Sequence, residues 1–198
     1  MRPRRLIGRT GAPRDPVEIA GRGALDTWSA GPSASPRAQA MNAVVRQALS
    51  GDGAAATEVL RRSISVLCVS DHRNDPKRLE AWLQNKTVSN VTAWIGSADG
   101  YCVVACLDDA ICGFGAMTLQ GEIMLCYVDP AARFRGVSSV MLDALEDKAR
   151  LLGLAEVHLD STVTARRFYE DRGYVAVGPT KQAFEAISCQ SMEKRLAL

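Results

Sequence analysis

Between Arg133 and Ser139 the chain reads RFRGVSS: two arginines, a glycine and two hydroxyls, at the start of an amphipathic run that opens at Val137. These residue types at this spacing suit anion binding. A helix N-terminus leaves about four backbone N–H groups without partners and carries roughly half a positive charge. Gly136 admits a positive φ and lets another molecule approach the backbone, while Arg133 and Arg135, flanking Phe134, add two guanidinium forks. With Val137, Ser138 and Ser139 supplying the first-turn N–H groups, the corner is a candidate cradle for a phosphate or pyrophosphate. On this stretch alone, a plain turn with solvated arginines and Ser138 as a helix cap explains the residues equally well. It is not a nucleotide P-loop, since GxxxxGK[ST] is missing and no lysine follows the glycine. Nor is GFGA at 113–116 a dinucleotide fingerprint, because it lies within a strand and opens no helix; its glycines mark a bulge or a close backbone approach.

The elements around this corner can be read from periodicity. Val44 to Ala48 reads as a strand, followed by SGDG with Ser50 and Asp52 as helix caps. Ala54 to Val66 reads as a helix with Val59, Leu60, Ile64 and Leu67 toward the core, and Asp75-Pro76 opens a second helix as cap and first residue. SNVTAWIG at 89–96 suggests a further helical turn. Strands are expected at Tyr101 to Leu107, Ile111 to Leu119 and Glu122 to Val128, joined by tight turns at Asp108-Asp109 and Gln120-Gly121. Val137 to Leu152 should be a long helix with Val137, Val140, Met141, Ala144, Leu145, Leu151 and Leu152 as its apolar stripe and Gly153 as its stop. Glu156 to Leu159 reads as a strand, Thr164 to Arg172 as a helix ended by Gly173, and Tyr174 to Val177 and Ser188 to Lys194 as closing strands. Hairpins give antiparallel pairs, and the two helical crossovers call for parallel or near-parallel neighbours. The result is a mixed α/β sheet of about seven strands with helices on both faces.

Residues 1–40 differ from the rest. They hold seven arginines, no lysine and three acids, a net of +4, whereas residues 41–198 carry 17 basic and 19 acidic residues, a net of −2. Rich in Gly, Pro, Ala and Ser and without an apolar period, the first segment is expected to be a disordered extension ahead of a domain spanning 41–198, with Met41 as a natural start. A nucleic-acid arm or a transit peptide is the alternative; the mildly acidic remainder lends no support to a nucleic-acid footprint. No run of about 18 apolar residues exists to cross a membrane, and no secretory signal opens the chain. The six cysteines form no CxxC pair and lie mostly in apolar runs, which points to buried thiols in a reduced compartment rather than to disulfides or a metal. The expectation is therefore a cytoplasmic protein without a metal.

At this point the motifs resemble those of the GNAT superfamily of acyl-CoA-dependent N-acetyltransferases. The family's pyrophosphate signature, [Q/R]-x-x-G-x-[G/A], falls on Arg133, Gly136 and Ser138, preceded by Val128-Asp129-Pro130 as the strand-ending V-x-P. A second motif, A-x-x-F-Y-x-x-x-G-[F/Y], falls on Ala165, Phe168, Tyr169, Gly173 and Tyr174, and the similarity runs from Val44 to Leu196 in matching element order. Two departures stand out: Ser138 where Gly or Ala is usual, and Thr162 where the family commonly has asparagine.

The resemblance implies an acetyl-CoA-dependent transferase acting on an amine. It implies that the strand Glu122 to Val128 splays from its neighbour, so that the backbone of Cys126, Tyr127 and Val128 holds the pantetheine arm and a backbone N–H stabilises negative charge on the attacked carbonyl oxygen. It makes Tyr169 the general acid for the departing thiolate; a phenol near pKa 10 against a thiol near 8.5 is uphill by about 2 kcal/mol. It makes Glu122 a candidate base. A carboxylate near 4.3 facing an ammonium near 10.4 is about 8 kcal/mol unfavourable unless burial, a water relay or an α-amine assists. His158 is expected on the face opposite Val157 and Leu159 and outside the site, and His72, Arg73 and Asp75 fall in a loop that borders the acceptor pocket in similar folds. A small-molecule amine, a peptide N-terminus and a protein lysine are all open as acceptors, and similar proteins are commonly homodimers. A non-catalytic acyl-CoA-binding or interaction module is the competing reading, and an acetyltransferase tethered to RNA or protein by the basic arm is a third.

Overall fold

A computed structural model describes residues 43–183 and 187–197. The expected extension at 1–40 lies outside the described residues. The chain runs β1 (Val44–Gln47), a 3-10 turn (Ser50–Asp52), α1 (Gly53–Leu67), α2 (Val69–His72), α3 (Pro76–Leu83) and α4 (Val88–Ile95). Then come β2 (Gly100–Leu107), β3 (Ala110–Thr118), β4 (Glu122–Val128), a second 3-10 turn (Pro130–Ala132) and α5 (Val137–Leu151). The chain closes with β5 (Glu156–Thr162), α6 (Arg166–Glu170), β6 (Val175–Ala176), β7 (Lys181–Ala183) and β8 (Ile187–Arg195).

The strands form one eight-stranded sheet in the order β1-β2-β3-β4-β5-β8-β6, with β7 also on β8. Every pairing is antiparallel except β4 with β5, which the α5 crossover makes parallel. The second crossover corrects the expectation of parallel neighbours: β8 enters between β5 and β6 and runs antiparallel to both. The three-residue β7 has no counterpart in the sequence reading, being too short to show a period.

Helices cover both faces. On one, α5 and α6 pack Val137, Met141, Leu142, Leu145 and Tyr169 on the sheet; on the other, α1, α3 and α4 supply Leu60, Ile64, Trp82 and Val91. Asp75 caps α3 as expected, accepting from Lys77 and Arg78 N–H, and Thr87 caps α4. Asp52 does not cap α1. Its carboxylate accepts instead from the Leu49 N–H at 2.7 Å and from Arg46 at 2.7 and 2.9 Å, tying β1 to the turn.

The buried stripe of α5 also differs from the expected one. It comprises Val137, Ser138, Met141, Leu142, Leu145, Glu146 and Ala149, whereas Leu151 is 84% exposed. A polar Glu146 can occupy the inner face because Lys194 of β8 reaches it at 2.8 and 2.7 Å. Hydropathy alone had pushed the stripe toward the leucines instead.

The glycines of GFGA serve helix approach. A Cβ on Gly113 would lie 2.7 Å from Met141 Sδ and 3.0 Å from Val137 Cγ1, and one on Gly115 would lie 3.3 Å from Leu145 Cδ1. Side chains there would hold α5 off β3.

Candidate active site

Two features meet at β4. Opposite β3, Ala116 pairs with Leu125 and Met117 with Ile123, so Met124 is an extra residue, a β-bulge. The pairing of β4 with β5 consists of Glu122 with His158 and Ile123 with Leu159, and past that point the two strands part. The bulge and the split fall together. Beyond them, among the described residues, the β5-facing edge of β4 through Cys126, Tyr127 and Val128 carries no ladder, which is the geometry an extended ligand needs to add as a strand.

Val128 leads into the corner. Asp129 donates its N–H to Cys112 O, accepts from Ala131 N–H at 2.8 Å and lies 3.2 Å from Arg62 of α1. The chain then turns left-handed twice, at Phe134 (φ 59°) and Gly136 (φ 77°). Gly136 is the N-cap of α5, where no side chain bonds the first N–H groups, and its carbonyl accepts from Ser139 and Val140 N–H. The Val137 and Ser138 N–H groups are thus left for a ligand, whereas the Ser139 N–H, expected to join them, is taken by Gly136 O. Phe134 is exposed, with the Arg133 guanidinium 4.6 Å from its ring centroid. Arg135 is half-buried, while Val137 and Ser138 are buried, the latter against Cys126, whose thiol reaches Ser138 O at 3.9 Å. What Val137 and Ser138 offer outward is therefore N–H. The hydrophobic side of Phe134 and its positive φ were not foreseen; an aromatic residue seldom adopts that conformation.

Tyr169 is fully buried on α6, meeting Phe168 edge-on (centroids 5.2 Å, 81°) and Tyr174 likewise (5.4 Å, 70°). Tyr174 donates to Glu146 Oε1 at 3.1 Å, and burial first, with Glu146 next, raises its pKa above the usual phenol range. Glu122, half-buried at the start of β4, faces the other way. It borders a cavity of about 210 Å³ together with His158, Asp160, Val177, Lys181 and Ser191. His158 does lie opposite Val157 and Leu159, yet it stands beside Glu122 instead of apart from the candidate site. Asp160, Lys181 and Ser191 were missed. Their one sequence signal was the polar alternation His158-Asp160 between Val157 and Leu159.

The expected loop role of His72 is corrected: it belongs to α2, is 1% exposed, and its Nδ1 accepts from the Asn74 N–H. Asp75 is committed to its cap. All six cysteines are free thiols, and among the described residues no group of three or more His, Cys, Asp or Glu is placed to hold a metal ion. Nor is any helix there long and apolar enough to cross a membrane.

A bulged, splayed strand followed by a helix N-terminus without a side-chain cap is an α/β arrangement open to an extended anionic ligand. The chain belongs to the GNAT family: the model of the acetyltransferase (GNAT) domain matches residues 64–196. It is accordingly an acetyl-CoA-dependent acyltransferase. A GCN5-related N-acetyltransferase from Rhodopseudomonas palustris is 26% identical, with a TM-score of 0.70 over 77% of this chain and 95% of that one. The PaiA N-acetyltransferase of Thermoplasma acidophilum, solved with coenzyme A, shares the fold at 17% identity and a TM-score of 0.63, over 78% of this chain and 99% of that one. So does the putative acetyltransferase YncA of Salmonella typhimurium, solved with acetyl-CoA, at 16% identity and 0.61, over 79% and 95%. No curated protein matches the chain.

Proposed function

We propose that the protein transfers an acetyl group from acetyl-CoA to a primary amine by direct attack. The amine nitrogen forms its bond to the acyl carbon, the carbon–sulfur bond breaks, Glu122 receives the proton the amine loses, and Tyr169 donates one to the sulfur. One observation carries this reading. Along a single run of chain, the bulge at Met124, the parting from β5 and the left-handed corner at Gly136 follow in order. A long phosphorylated thioester needs those three provisions: a backbone edge, room between strands, and an anion cradle.

Acetyl-CoA supplies the activated acyl group. The backbone of Cys126, Tyr127 and Val128 holds the arm, and Arg133 to Ser139 hold the diphosphate, with Arg133 and Arg135 adding charge. Solved neighbours that contain coenzyme A or acetyl-CoA support this assignment. Glu122 takes its proton directly or through water, since a carboxylate and an ammonium are poorly matched in pKa. Tyr169 is kept from solvent, which limits its proton exchange to the bound thiol.

The test is Gly136→Asp. It places a branched, anionic side chain at φ 77° on the cradle, and calorimetry should find acetyl-CoA binding abolished, with no CoA released across a panel of amines acetylated by the parent. Normal affinity in that variant would remove the cradle from the mechanism.

A further inference from the structure

The cavity beside Glu122 lies at the closed end of the V between β4 and β5, where the last two register pairs, Glu122 with His158 and Ile123 with Leu159, hold the strands together. An arm entering from Gly136 along β4 therefore points its reacting end at this cavity. Its charged walls are two carboxylates, Glu122 and Asp160, against one ammonium, Lys181. These three groups sum to one formal negative charge, a balance that favours a cation. Its volume of about 210 Å³ corresponds to about seven water-sized groups, room for a short alkylamine or amino alcohol.

Asp160 is already engaged at both oxygens. Lys181 Nζ lies 2.7 Å from Oδ2, and Ser191 Oγ donates to Oδ1 at 2.9 Å. Lys181 comes from β7, across β8 from the β5 strand that carries Asp160. A second positive charge on the acceptor would meet Asp160 only by displacing an ammonium already seated there. We infer that this cavity is the acceptor subsite and that the Asp160–Lys181 pair selects small amines with a single positive charge over those with two. This rests on the transferase reading above and extends it to the class of acceptor.

The experiment measures butylamine and diaminobutane binding by calorimetry, with and without CoA, in the parent, in Lys181→Ala and Lys181→Gln, and in Lys181→Arg. The parent should prefer butylamine. Removing the ammonium should raise diaminobutane affinity about fivefold relative to butylamine, and Lys181→Arg should restore the parent's preference. An unchanged ratio in both neutral variants, or neither amine binding, would overturn the subsite. Amine binding with the shifted ratio but no acetylated product would uphold the subsite and refute the transferase reading instead, so the two failures are distinct.

Discussion

Glu122 and Tyr169 stand on opposite faces of the sheet. Glu122 shares a face with His158 and the cavity, on the side covered by α1, α3 and α4, while Tyr169 packs in the layer beneath α5 and α6. The pairing of β4 with β5 ends after Ile123, between the two sides. On the mechanism proposed above, Tyr169→Phe removes the proton donor and leaves the corner at Gly136 whole. Its kcat should fall about a hundredfold with acetyl-CoA affinity unchanged, read by CoA release and calorimetry; an unaltered kcat would exclude Tyr169 as the acid.

Tyr169 is backed by a polar network. Glu146, whose side chain is 3% exposed, accepts from Tyr174, Lys194 and Arg150 at 3.1, 2.7 and 3.3 Å. Tyr174→Phe deletes one bond to a charged acceptor and should cost about 1 kcal/mol, a drop of about 3 °C in Tm. Glu146→Ala leaves two cations and a phenol facing apolar surface and should cost about 2 kcal/mol or more. Because both act on one network, the double variant should lose less than the sum. Thermal denaturation of the three proteins settles this.

Gly113→Ala puts a methyl group 2.7 Å from Met141 Sδ and 3.0 Å from Val137 Cγ1. Met141 has a flexible end and can yield; Val137, the first residue of α5, cannot do so without moving the helix start. A destabilisation of about 1–2 kcal/mol is expected, and acetyl-CoA affinity should weaken alongside it, since the cradle hangs on that helix start. Denaturant unfolding and calorimetry on the same variant should move together.

Burial pushes the thiols of Cys102, Cys112 and Cys126 up to about 12, about 11 and about 12. In the unfolded chain they ionise near 8.5. The folded state then binds more protons than the unfolded one above that pH, so stability is fully present below about 8.5 and falls as pH rises toward the folded values. By pH 10 each thiol costs at most about 2 kcal/mol. Urea midpoints should be flat from pH 6.5 to 8 and decline from 8.5 upward, and replacing the three cysteines with alanine should flatten the decline.

Much of the fold was legible because its signals are local. The capping pair Asp75-Pro76, the left-handed turn at Asp108-Asp109 (φ 49° and 64°) and the long period of α5 each act within a few residues. The RFRG corner was legible for the same reason. What escaped depends on partners distant in sequence. Nothing near Asp52 says that Arg46 will take its carboxylate from the helix cap, and nothing near Glu146 announces Lys194, 48 residues on. The cavity is assembled from β4, β5, β7 and β8, so Lys181 gains meaning only once β8 lies between β5 and β7.

The extra residue at Met124 works as a permanent phase shift. Ile123 faces the α5 layer, yet Leu125 and Tyr127 face the opposite layer, while Cys126 and Val128 return to the first. Odd and even positions exchange sides midway along seven residues. Excising that one methionine would leave Ile123, Leu125, Cys126, Tyr127 and Val128 in plain alternation on the faces they now occupy, and would flatten the strand against β3. A single-codon deletion would therefore spare the packing of both layers and abolish the kink alone, which no substitution at the same position does.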